Sequence, residues 1–160
     1  MIDVNLAANE GERLVLTLIR AMETGQLAEC VPAVCTDDFS WANSGLATIH
    51  GQQALFQHMA SGGFASQIPI LATMTHFSAE LLHIASNDQV VFTERVDHHW
   101  DAAGRDLMTP HICGVAEIRD GRISAFRDFY DIACYEQNPT DVVPGFELEV
   151  FRDRQSRGET

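Results

Sequence analysis

Val90-Val91-Phe92-Thr93-Glu94-Arg95-Val96-Asp97-His98-His99-Trp100 is the stretch that decides the fold. It is rich in β-branched and aromatic residues and holds neither glycine nor proline, so it reads as a strand. Its apolar residues fall on both parities: Phe92 and Val96 share one face, Val91 and Thr93 the other. A strand with one wet face would alternate more cleanly. Both faces of its sheet are therefore expected to be at least partly covered, one by helices and the other by a second subunit or by the C-terminal segment.

Outward from this strand the pattern is a meander. Residues 68–86 carry alternating segments with no breaker after Pro69, and Asn87-Asp88 signals a turn into the strand. Residues 101–104 form the next turn. A strand is expected over residues 106–119, with Pro110 marking a bulge or an edge. Asp120-Gly121 is the strongest hairpin signal in the chain, and residues 122–131 read as the last long strand.

The first third is helical. Leu14, Leu18 and Met22 recur every four residues beside Val15 and Ile19, and Gly25 suits the C-terminal cap. A shorter helix covers Leu27 to Val34, limited by Pro32. Residues 37–41 are extended, Asn43-Ser44-Gly45 turns, and a third helix runs over residues 51–60 until Ser61-Gly62-Gly63. Helices followed by an antiparallel meander make an α+β domain. One domain is expected over residues 1–151, with a disordered tail over 152–160.

Composition narrows the function. Of 160 residues, 46% are hydrophobic, enough for one real core. The 23 acidic residues against 10 basic ones give a formal charge of -13, the wrong sign for a nucleic-acid or anionic-membrane binder. Every basic residue is arginine, which removes lysine Schiff-base chemistry and the P-loop lysine. No apolar run is long enough to span a membrane, and residues 1–13 do not read as a signal peptide. Cys30, Cys35, Cys113 and Cys134 include no C-x-x-C pair, so they read as buried, reduced thiols of a cytoplasmic protein.

Three groups of residues can carry chemistry. In Arg95-Val96-Asp97 the cation and the carboxylate project from one strand face, flanked by Thr93 and His99. In Phe126-Arg127-Asp128-Phe129-Tyr130-Asp131, Asp128 shares a face with Phe126 and Tyr130; a carboxylate there needs a partner, and Arg95 is the obvious one. Trp41 and Asn43 share a face of the extended segment before the turn. Each has a plainer reading: an ordinary ion pair for the first two, a core tryptophan and a turn former for the third. His98 and His99 point opposite ways on a strand, and no ligand pattern supports a metal site.

The combination of Glu94-Arg95-Val96-Asp97, Gly104-Arg105, Asp120-Gly121-Arg122-Ile123 and Phe126-Arg127-Asp128-Phe129-Tyr130-Asp131 resembles the limonene-1,2-epoxide hydrolase family, with Phe39-Ser40-Trp41-Ala42-Asn43 where that family holds its water. The resemblance runs from the first helix to about Glu136. It implies the cone fold shared with nuclear transport factor two, ketosteroid isomerase and SnoaL-like proteins: a curved, mixed, mostly antiparallel sheet with about three N-terminal helices packed on its concave face. It also implies a homodimer. By the same resemblance Asp97 is the general acid, Arg95 the bridging cation, Asp128 the general base and Asn43 the water-holding amide. Trp41 departs from the family's tyrosine: indole donates one hydrogen bond and accepts none. Phe56, Met59, Met74, Leu82, Met108, Phe126 and Tyr130 are expected to line the substrate pocket, with Phe146 in a possible lid.

Epoxide opening by water needs a carboxylate to take a proton and a carboxylic acid to give one. Burial and mutual repulsion raise one carboxyl's pKa while arginine favours ionisation of the other. The expected reaction is metal-free and cofactor-free hydrolysis of a small apolar epoxide to a vicinal diol. Alternatives are an isomerase, cyclase or dehydratase of the same fold acting on a polyketide- or steroid-like substrate, or a ligand-binding domain without turnover.

Overall fold

A computed structural model describes residues 1–136 of the chain. Helix α1 (Glu10–Thr24) starts where Asn9 accepts the Glu12 N–H at 3.0 Å, while Glu12 turns back to accept the Ala8 N–H at 2.8 Å. This reciprocal cap satisfies donors that the first helical turn leaves open. The helix ends at Gly25 in the left-handed region (φ 71°), where the absence of a Cβ removes the strain. Its inward stripe, Val15, Leu16, Leu18 and Ile19, is fully buried. Helices α2 (Leu27–Val34) and α3 (Gln52–Ala60) fall where the periodicity places them.

Among the described residues seven strands form one sheet: β1 (Cys35–Asn43), β2 (Ile49–His50), β3 (Met74–Ser86), β4 (Val90–Asp101), β5 (Asp106–Met108), β6 (His111–Arg119) and β7 (Arg122–Phe129). Their order is β2-β1-β7-β6-β4-β3, with β5 also on β4. All pairs are antiparallel except β1 with β7, which run parallel. Register shifts at Leu81/His83 in β3 and Glu117/Ile118 in β6 mark bulges, which bend strands and curve the sheet. Helix α1 packs across β3, β4 and β7, and α3 packs on β1. Asp120 (φ 53°) and Gly121 (φ 71°) both take positive φ, as a two-residue hairpin turn requires.

Four expectations change. The strand over residues 106–119 is broken at Thr109-Pro110 into β5 and β6. Pro110 has no N–H for the ladder, and its carbonyl instead accepts the Asp97 N–H at 3.1 Å. Residues 69–71 form a 3₁₀ turn opened by Pro69, so β3 begins only at Met74. The last strand ends at Phe129, because Asp131 caps another 3₁₀ turn (Ile132–Tyr135). Cys113 is exposed and Cys30 half-buried, whereas Cys35 and Cys134 are buried. Phe146, the domain end at 151 and the tail over 152–160 lie outside the described residues. No helix among the described residues is long and apolar enough to cross a membrane.

Candidate active site

Strand register builds the site. Thr93 of β4 lies opposite Gly114 of β6, Gly114 opposite Asp128 of β7, and Asp128 opposite Asn43 of β1. One row therefore crosses four strands, and the parallel β1–β7 pairing is what brings Asn43 to it. Arg95, Asp97 and His99 follow Thr93 on the same face of β4, since residues two apart project together.

Arg95 is wholly buried. Its Nε donates to Asp97 Oδ1 at 2.9 Å, its Nη2 to Asp128 Oδ2 at 2.6 Å, and its Nη1 to Thr93 Oγ1 at 3.2 Å. The guanidinium carbon stands 5.5 Å from the Phe126 ring centroid, so the aromatic face supports the cation from below. Gly114 makes room for this fork. A Cβ there would lie 2.5 Å from Arg95 Nη1 and would also clash with Thr93 Oγ1.

Burial raises the pKa of Asp97 above the ordinary carboxylate value against the pull of Arg95. Burial likewise pushes Asp128 up to about 6, again opposed by Arg95. Burial works against the charge on Arg95, but Asp128 and Asp97 outweigh it and hold its pKa above the usual range. One cation between two buried carboxyls is electrically neutral when the carboxyls hold one proton between them. The three groups titrate as a unit.

Above the trio lies a cavity of about 260 Å³ whose lining includes Trp41, Asn43, Asp97 and Asp128. Three buried polar atoms of its lining residues have no hydrogen-bond partner among the described residues: Asp128 Oδ1, Trp41 Nε1 and His58 Nε2. The rest of the wall is mostly apolar, with Met22, Leu55, Met59, Ile68, Leu71 and Phe77 among its residues. The cavity sits at the seam of two apolar clusters, the main core and a smaller one around Ile68, Leu71, Met108 and Cys134.

A hydroxyl chain supports Asn43. Tyr135 Oη donates to the Ser44 carbonyl at 2.5 Å and lies 2.7 Å from Tyr130 Oη. A carbonyl only accepts, so the Tyr135 proton goes to Ser44 and the Tyr130 proton goes to Tyr135. Tyr130 Oη also comes within 3.5 Å of Asn43 Oδ1. With its one proton already committed, Tyr130 leaves Asn43 Oδ1 free to accept from another donor. Ser44 ties the ends of β1 and β7 together: its N–H donates to the Asp128 carbonyl at 3.0 Å, and its Oγ accepts the Tyr130 N–H at 3.1 Å.

Of the residues singled out in the sequence, Arg95, Asp97, Asp128, Asn43 and Trp41 are brought together. Met59, Met74, Met108 and Tyr130 line the cavity with them. Three expected lining residues do not. Phe126 is fully buried beneath Arg95, as the floor rather than the wall. Leu82 is buried at the β3 bulge, where the register shift turns the inward parity. Phe56 packs against the main core without lining the cavity, whereas Leu55, His58 and Met59 of the same helix do line it. Reading the strands and the third helix face by face also missed Gly114 and His58. Gly114 carries no side chain to notice, and His58 follows Leu55 by three residues, one helical neighbour away. Among the described residues no group of three or more His, Cys, Asp or Glu side chains is placed to hold a metal ion.

A curved sheet closed by three helices over a buried, charged floor is the cone fold of nuclear-transport-factor-two-like proteins. Residues 9–137 match the limonene-1,2-epoxide hydrolase catalytic domain, and the chain belongs to that family. Among solved structures, it resembles an LEH-like epoxide hydrolase of M. tuberculosis at 26% identity and TM-score 0.61, covering 79% of this chain and 86% of that one. It also resembles an NTF2-like protein of unknown function from Burkholderia pseudomallei at 17% identity and TM-score 0.62, covering 78% and 93%. The latter likeness is one of fold alone.

Gly114→Ala is predicted to displace the Arg95 fork and to lower stability by about 1–3 kcal/mol, the usual range for overpacking. Denaturant unfolding of this variant beside the parent measures it; an unchanged midpoint would show that the row tolerates a methyl group and that Gly114 does not set the position of Arg95.

Proposed function

We propose that this protein hydrolyses a small, mainly apolar epoxide to a vicinal diol by direct attack of water. The observation that carries the reading is the fully buried Arg95 forked between two carboxyls, one of which keeps an unpartnered oxygen in an apolar cavity. Asp128 Oδ1 accepts a proton from the water as the water oxygen bonds to an epoxide carbon. Asn43 Oδ1 accepts the water's other hydrogen. The C–O bond breaks, and the ring oxygen takes the proton held by Asp97. Arg95 holds both carboxyls in place and keeps the trio at one proton throughout. The proton ends on Asp128 rather than Asp97, and one transfer through water restores the starting state. Trp41 Nε1 contributes a donor and no acceptor, so Asn43 and Asp128 do the accepting.

The scheme calls for no metal and no cofactor. Carbon-acid chemistry, as in an isomerase or cyclase, would have no use for a cation between two carboxyls. A binding domain without turnover would be expected to satisfy every oxygen of the trio, and Asp128 Oδ1 speaks against it. A reducing, cytoplasmic setting suits four cysteines that form no disulfide. We also assign the outer face of the sheet to a second copy of the chain. Phe92 and Phe129 are 46% and 52% exposed there, on neighbouring rows across β4, β6 and β7.

Asp97→Asn and Asp128→Asn are each predicted to lower kcat by roughly 10²–10⁴-fold, the usual worth of one acid or base. Chiral analysis of diols from small cyclic, styrene-type and fatty epoxides measures this; full activity in either variant removes that residue from its role. For the parent, kcat/KM should rise with pH through an apparent pKa near the value of about 6 held by Asp128, because the base works only when ionised. A flat profile from pH 5 to 8 would contradict that assignment. Sedimentation velocity should show a dimer, and a Phe129→Glu variant should run as the monomer; a monomeric parent removes the second copy.

A further inference from the structure

Water attack accounts for Asp128 Oδ1, Asn43 and Trp41. It leaves two imidazoles in the cavity wall, His99 and His58, without a task. His99 is held in one orientation. Its Nδ1 lies 2.8 Å from the Met108 carbonyl, and Phe77 packs edge-on against the ring at 5.4 Å. Because a carbonyl only accepts, Nδ1 carries the hydrogen. Burial lowers the pKa of the ring below the ordinary histidine value, so the ring holds one proton. Nε2 therefore presents a lone pair. No hydrogen bond ties this atom to another described residue.

Its position is informative. His99 lies two residues beyond Asp97 on the same strand face, about 7 Å farther along at the usual rise per residue. A group that gives its ring oxygen to Asp97 thus extends past a fixed acceptor. His58 Nε2, on α3, is a buried polar atom of the same cavity with no partner among the described residues. The His58 ring packs on Phe64 at 4.6 Å, and Phe64 packs on Trp41 at 5.8 Å, so a run of rings lines the helix side of the cavity. A wall meant only for hydrocarbon would gain nothing from these atoms: a ring nitrogen that CH₂ groups cover when a substrate binds loses its water and finds no replacement. A hydroxyl suits both, since it donates through its hydrogen and accepts through its oxygen.

Given the hydrolase reading on which it depends, we infer that the substrate is an oxygenated epoxide whose hydroxyl, on the side of the molecule away from the oxirane, donates to His99 Nε2, with His58 as a second polar contact. The cavity sets the scale: at ~30 Å³ per water-sized group, 260 Å³ holds about nine. A six-membered ring bearing an epoxide and a hydroxyl across from it fits that measure. Diol formation follows the scheme above, and the hydroxyl takes no part in bond making or breaking.

The test compares cyclohexene oxide with 4-hydroxy-1,2-epoxycyclohexane. The parent should prefer the hydroxylated epoxide in kcat/KM by at least about tenfold, because a site built around a hydroxyl disfavours the analogue without it. His99→Leu should erase the preference, read as the ratio of the two kcat/KM values in one preparation, so that a general loss of activity does not enter the comparison. His99→Gln, which keeps an acceptor, should retain part of it, and His58→Phe should reduce it. No preference in the parent, or an undiminished one in His99→Leu, overturns the inference. Calorimetric binding of 1,2-cyclohexanediol and 1,2,4-cyclohexanetriol to the parent reads the same preference without turnover. Diol from neither epoxide would remove the hydrolase reading, whereas triol binding no tighter than diol would remove the hydroxyl contact.

Discussion

Arg95 carries a charge that no water reaches, and much of the domain is arranged to make that tolerable. An unpaired guanidinium in an apolar interior would exceed the whole stability of a domain of this size. Asp97 and Asp128 share its fork, Thr93 takes a further N–H, Phe126 lies beneath it, and Gly114 withholds a side chain so that it fits. Removing one partner of such a group costs more than the pair contributes, because a buried charge is left behind. Two carboxyls around one cation also leave a protonation question that burial answers: the neutral arrangement holds one proton. In the reaction proposed above, that single proton is what lets two chemically identical side chains take opposite parts.

The sheet topology serves the same centre. Antiparallel pairing of β4, β6 and β7 brings Thr93, Gly114 and Asp128 into a row, and the one parallel pair adds Asn43 to it. Ser44 fastens the ends of the parallel strands beside the site, and the Tyr130–Tyr135–Ser44 chain fixes the direction of the proton on Tyr130. A hydroxyl wired in this way is a rigid prop rather than a reagent. Burial agrees, since it pushes the Tyr130 pKa well above its ordinary value.

Much of this was legible in the chain. The helix stripe, Gly25, the Asp120-Gly121 turn and the alternation around Arg95 each rest on local physics, and local physics survives folding. The shared face of Arg95 and Asp97 followed from strand parity alone, and the need of Asp128 for a cation from the cost of burying it. What escaped depends on long-range register. Nothing near Gly114 announces that its missing Cβ lies under an arginine of the neighbouring strand. Apolarity alone places Leu82 in the pocket, but a bulge invisible in the sequence falls at this residue and changes the parity there. Phe126 is floor and not wall, because only the fold decides which side of a guanidinium an aromatic ring takes. Pro110 marks an irregularity in the sequence, but its use, a carbonyl for the Asp97 N–H, appears only with the partner strand in place.

The central claim is that water itself, activated between Asp128 and Asn43, makes the new C–O bond. A single turnover in ¹⁸O-labelled water, with enzyme in excess over a small cyclic epoxide, tests it most directly. The account predicts label in the diol and none in the protein. Label in a carboxyl of Asp97 or Asp128, with unlabelled oxygen passed to the diol, would mean that an aspartate attacks carbon first and would contradict direct hydrolysis.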